Sequence, residues 1–92
     1  MSPKEWKQIR QELINRGFKV SVKGKNKREY IAEKDDILIN LLRGGISGTS
    51  SNLVIYIFDS KNNQMVYEGE NYSYKKILST MDCILKDMQE EW

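Results

Sequence analysis

Leu53-Val54-Ile55-Tyr56-Ile57-Phe58 is the stretch that decides the fold. Aliphatic and aromatic residues fill all six positions, and the turn residues Asp59-Ser60-Lys61-Asn62-Asn63 follow, so the run reads as a strand. Side chains alternate along a strand, which puts Leu53, Ile55 and Ile57 on one face and Val54, Tyr56 and Phe58 on the other. Both faces are apolar. An antiparallel sheet with one solvated face normally alternates apolar and polar residues, so the second face calls for cover. Three arrangements meet that need or do without it. The 43–52 segment folds over the face, or the apolar side chains stand scattered in solvent. A second copy or a partner protein packs there. Tyr56 and Phe58 serve as a base-stacking platform of the kind single-strand binders use.

Outward from this strand, 64–69 reads as its returning partner. Ser73 caps a last helix whose Ile77, Leu78, Met81, Ile84, Leu85, Met88 and Trp92 form one stripe. On the other side, 43–52 holds Gly44, Gly45 and Gly48 among serines and Thr49 and reads as a loop. Residues 37–42 fit a strand or a short capped helix. Ile37, Ile39 and the glycine pair favour a strand, which would add Leu38 and Leu42 to the two-sided apolar set. Phe18, Val20 and Val22 alternate with Lys19, Ser21 and Lys23, Gly24-Lys25-Asn26-Lys27 makes a hairpin loop, and 28–34 returns. Either Tyr30 and Ala32 or Ile31 points inward, since a one-residue slip of register exchanges the faces.

The chain begins with a helix over 3–16. Ser2-Pro3-Lys4-Glu5 is a capping box with proline at the first helical position, and Gly17 suits the left-handed turn that ends it. Trp6, Ile9, Leu13 and Ile14 are its apolar stripe. Arg10 lies among them, either as a snorkelling side chain with its head in water or as a contact to a partner or an anion. The expected fold is a single α+β domain over 1–92. It has two layers, with both helices on one face of an antiparallel sheet of about four or five strands.

The 92 residues are 39% hydrophobic and 30% charged, ordinary for a globular chain. No run of about eighteen apolar residues exists to span a membrane, and the first residues lack the apolar centre of a secretion signal. A single cysteine, Cys83, fits a reducing compartment, so the expectation is a cytoplasmic protein. Cys83 falls on the side of the last helix away from the apolar stripe, an exposed thiol with no catalytic setting. The absence of histidine removes His-based nucleophiles, bases and metal ligands. No metal-ligand spacing stands out, and no metal or cofactor is expected.

Charge is uneven. Residues 1–34 hold ten Lys/Arg and four Asp/Glu, whereas 35–92 hold five and nine. Lys19, Lys23, Lys25, Lys27, Arg28 and Lys34 cluster on the first hairpin, which fits a phosphate backbone, an acidic protein or merely a solvated edge. Asp82, Asp87, Glu90 and Glu91 form an acidic pole on the last helix, and head-to-tail association of the two poles is conceivable. The Gly44, Gly45, Ser47, Gly48, Thr49 segment could cradle a phosphate on backbone N–H groups, although no Walker lysine follows. The paired carboxylates Asp35-Asp36 and Glu90-Glu91 point apart and offer no acid–base couple.

The order helix–strands–helix resembles the double-stranded-RNA-binding fold, with Ser73, Lys75 and Lys76 where that family keeps lysines at the start of its second helix. Gly17-Phe18 after a helix is similar to the HicA-type toxin ribonucleases, whose catalytic histidine has no counterpart here. Both resemblances imply a fold and no activity. In size and in lysine and asparagine content the chain also looks like the small accessory proteins of phages and mobile elements, including anti-CRISPR and other anti-defence proteins. The expected function is therefore a non-enzymatic inhibitor or regulator acting through protein–protein contact, with a second copy or another protein as the expected partner through Val54, Tyr56, Phe58 and Arg10. Nucleic-acid binding by the 19–34 hairpin is the alternative, and nucleotide capture at 43–52 is a further one.

Overall fold

The computed structural model describes residues 3–24, 27–43, 53–70 and 73–90. Among these, β1 (Lys19–Lys23), β2 (Glu29–Lys34), β3 (Ile37–Arg43), β4 (Leu53–Asp59) and β5 (Gln64–Gly69) form one sheet whose spatial order is the sequence order. Each neighbouring pair is antiparallel. The helices α1 (Pro3–Asn15) and α2 (Tyr74–Glu90) flank the sheet in sequence. This is the α+β architecture expected from the sequence, with five strands. Residues 37–42 belong to a strand, because the two-residue loop Asp35-Asp36 pairs Lys34 directly with Ile37. Asp35 takes the left-handed backbone this loop needs, at φ 52.

One core forms between helices and sheet. Trp6, Ile9 and Leu13 of α1 and Ile77, Met81 and Met88 of α2 pack with Tyr30, Ala32, Ile37, Ile39, Leu41, Leu53, Ile55 and Ile57. The register settles the β2 faces: Tyr30 and Ala32 point inward and Ile31 outward. Ile14, expected on the apolar stripe, is 42% exposed instead. At about 100° per residue it lies more than about 100° round the helix from the middle of Trp6, Ile9 and Leu13, beyond the width the sheet can cover.

The helix ends are built as the sequence implies. Phe18 N–H donates to Leu13 C=O at 3.0 Å and Gly17 N–H to Ile14 C=O at 2.9 Å, with Gly17 at φ 89. This double closure needs a left-handed residue, and glycine supplies it without strain. Lys34 Nζ donates to Arg16 C=O at 2.9 Å, which satisfies another terminal carbonyl. At the other helix, Ser73 Oγ accepts from Lys76 N–H at 3.3 Å. The β4–β5 turn is held by buried Asp59, whose carboxylate accepts from Lys61 N–H at 3.0 Å and from the Asn62 side chain at 2.7 Å.

Arg16 ties the helices together. Its guanidinium donates to both Asp82 oxygens, at 2.6 and 2.9 Å, and to Glu12. The hydrogen bond from Arg16 holds the Asp82 carboxyl below its ordinary range. A depressed carboxylate stabilises the fold above its unfolded pKa of about 4 and loses that contribution as pH falls through its folded value. Because the Asp82 side chain is 55% exposed, solvent screening limits the pair to about 1 kcal/mol. Asp82→Asn is thus expected to cost up to about 1 kcal/mol at neutral pH, with the gap to wild type closing below about pH 4. Denaturant titrations at both pH values check this, and a gap that persists in acid would contradict it.

Candidate functional site

Both helices lie on the inner face of the sheet, so the described residues leave its outer face uncovered. Register defines that face row by row. Leu38 stands opposite Phe58, Asn40 opposite Tyr56 and Leu42 opposite Val54. Beyond β3, Ile31 lies opposite Asn40, and beyond β4, Met65 lies opposite Phe58. Leu38, Leu42, Val54, Tyr56 and Phe58 are only half-buried, shielded by one another across the strands. Met65 is 48% exposed and Val66, beside the irregularity between Ile57 and Phe58, is 39% exposed. The result is a contiguous apolar surface rather than scattered side chains.

Charged rims border this surface. On one side β1 carries Lys19 and Lys23, opposite Glu33 and Glu29 of β2. Asn40 Nδ2 donates to Glu29 Oε2 at 2.7 Å. On the other side Val54, Tyr56, Glu68, Gly69 and Glu70 line a shallow groove of about 360 Å³. Arg10, which the sequence grouped with Val54, Tyr56 and Phe58, does not share their surface, because α1 carries it on the helix side.

The hairpin cations do not form one patch. Lys19 and Lys23 face glutamates in the register, and Lys34 caps α1 while sitting 5.9 Å from the centre of the Phe18 ring. Arg28 is exposed, and its carbonyl accepts from Arg43 N–H at 2.8 Å. Lys25 lies outside the described residues. Lys27 joins a different group: Pro3, Trp6, Lys7, Arg10, Val22, Lys27, Tyr30 and Arg43 line a cleft of about 470 Å³ on the helix side. Sequence reading did not assemble this set. Its cations come from α1, the β1–β2 loop and the end of β3; Arg10 carried a signal as a charge beside an apolar stripe and Lys27 as one of the hairpin cations, whereas Lys7 and Arg43 carried none.

The floor of the cleft is rigid. The Trp6 and Tyr30 rings stack with centroids 3.9 Å apart and planes 4° from parallel. Tyr30 OH donates to Trp6 C=O at 3.0 Å, and Trp6 Nε1–H donates to Lys27 C=O at 2.9 Å. That second bond and Lys27 N–H to Gly24 C=O, 3.2 Å, hold Lys27 at φ 55, an uncommon conformation for a side-chain-bearing residue. Burial pushes the Tyr30 hydroxyl above its ordinary range, and the charges of Arg10 and Arg43 pull it partly back.

Another cavity, of about 410 Å³, lies beside Arg16, Phe18, Lys34 and Asp82, but Arg16 and Lys34 are engaged there by Asp82, Glu12 and a helix carbonyl. Asp82 of the acidic pole therefore has an internal role. Asp87 and Cys83 are exposed. Gly44, Gly45, Ser47, Gly48 and Thr49, the candidate phosphate loop, lie outside the described residues, as do Glu91 and Trp92. Asp35 and Asp36 are exposed members of the β2–β3 turn. Among the described residues no group of three or more potential metal ligands occurs, and no helix is long and apolar enough to cross a membrane. No family model matches this chain, and neither a curated protein nor a solved structure was found to resemble it.

Proposed function

We propose that this chain is a non-enzymatic binding protein that pairs with a second copy of itself through the outer faces of the two sheets and acts on a partner protein as an inhibitor or regulator by occupying its surface. The observation that carries this reading is the contiguous apolar surface of Leu38, Leu42, Val54, Tyr56, Phe58 and Met65, on the side of the sheet opposite both helices.

Charge favours a second copy as the occupant. Five strands about 4.8 Å apart, with about six residues each at about 3.3 Å, span roughly 20 by 20 Å. A standard interface buries about 800 Å² of accessible surface per partner, so pairing has to use this whole face, rims included. The outermost strands differ in charge: β1 presents Lys19 and Lys23, each also facing a glutamate of β2, whereas Glu68 and Glu70 stand at and beside β5. A twofold interface must be self-complementary. A twofold axis running along the strands near β3 lays each lysine edge over the glutamate edge of the other copy. An axis across the strands would lay lysine on lysine, which repulsion disfavours.

This arrangement is tested by charge reversal. Glu68→Lys and Lys23→Glu, made singly, should each weaken association by about tenfold at low salt, and the double variant should recover most of the loss. Sedimentation equilibrium reads the outcome. Indifference to all three variants, or a double variant weaker than either single one, would contradict the pairing.

A further inference from the structure

We infer that the cleft between α1 and the first hairpin is a phosphate-binding site, which holds the phosphoryl groups of a nucleotide, free or within a single strand, on Lys7, Arg10, Lys27 and Arg43. This site lies on the helix side of the sheet and does not depend on the proposed pairing of outer faces.

Four cations from three separate elements converge on one concave surface, and among the described residues no carboxylate lines it. Among the described residues, none of the four makes an ion pair. By contrast, Arg16 has two carboxylate partners and Lys34 caps a helix. Like charges gathered without neutralisation repel and lower stability, and a bound polyanion removes that penalty. The volume, about 470 Å³, falls in the range of small-ligand sites. Two arginines can each grip a phosphoryl group through paired N–H donors, and the two lysines add point charge.

The walls bear on the ligand class. Exposed Pro3 and Val22 give the cleft an apolar side, over the buried Trp6 and Tyr30 rings. Val22 belongs to the alternating set Val20 and Val22 that faces the helices, yet it is 37% exposed because it opens onto the cleft. A purely inorganic anion would leave that wall bare, whereas a nucleotide presents an apolar ring beside its charged tail. The Trp6–Tyr30 stack and its two hydrogen bonds hold the backbone at Trp6 and Lys27 beneath the cleft.

The test titrates three probes against the full chain by calorimetry: inorganic tripolyphosphate, a nucleoside triphosphate and a short oligothymidylate. Lys7→Glu with Arg10→Glu changes two exposed helix positions and should preserve the fold, which circular dichroism verifies. This variant should weaken nucleotide binding by at least about tenfold, whereas Lys75→Glu with Lys86→Glu, exposed on α2 and outside the cleft lining, should change it by less than about threefold. If the strand is the ligand, the oligothymidylate binds more tightly than the triphosphate, with a log–log salt slope of about −2 to −3 for three to four phosphates. If the free nucleotide is the ligand, the triphosphate binds at least as tightly as the oligothymidylate. No binding of any probe, tripolyphosphate binding as tightly as the nucleotide, or equal losses in both variants would overturn the assignment. A monomeric mass with intact nucleotide binding would sink the pairing and leave this site standing.

Discussion

Replacing Tyr56 and Phe58 together by serine is expected to abolish the proposed self-pairing and leave the monomer folded. Both residues sit on the outer face, opposite Asn40 and Leu38 of β3, and both are half-buried in the single chain. Buried aromatic anchors at the centre of an interface commonly contribute about 2 kcal/mol or more each. Removing two from each copy should cost at least about 4 kcal/mol of association, a factor of about a thousand in Kd. The folded monomer loses less. Its core contacts come from Leu53, Ile55 and Ile57, so serine costs strand propensity and some cross-strand packing, about 1 kcal/mol per position. Size-exclusion chromatography with a thermal melt separates the two effects. A variant that unfolds would place this face in the core.

The second large effect is on stability. Trp6→Ala should cost about 3–5 kcal/mol, the range for removing a buried tryptophan. Trp6 is 4% exposed, stacks on Tyr30 and supplies the N–H that satisfies Lys27 C=O. A domain of 92 residues has only about 5–14 kcal/mol of total stability, so the variant would stand near the edge of unfolding. Trp6→Phe keeps a ring against Tyr30 and loses the donor, so its cost should be smaller, about 1–3 kcal/mol. Chemical denaturation of both variants checks the order. Equal losses, or a loss below about 1 kcal/mol for alanine, would show that the stack and its hydrogen bonds do not anchor α1 to the sheet.

Local patterns carried much of this fold. The two-sided apolar run of β4, the glycine ending α1 and the serine before α2 each act within a few residues, and each appears where the sequence places it. The cleft was not legible for the opposite reason. Lys7 and Arg10 are one turn apart on α1, but Lys27 and Arg43 reach them only through the strand register, which no local preference of the 24–27 loop dictates. The same register explains why the described hairpin cations are not gathered in one patch: it sets Lys19 against Glu33 and Lys23 against Glu29. Ile14 shows a finer limit. Its spacing fits a helical stripe, but only the sheet's width decides how far round α1 burial extends.

The most direct test of self-pairing is the solution mass of the purified chain by light scattering, at low and at high salt and about 100 µM protein. The account predicts close to twice the 10.8 kDa chain mass in both, because the interface has an apolar centre and salt screens only its lysine and glutamate rims. A mass of one chain at both salts would contradict it.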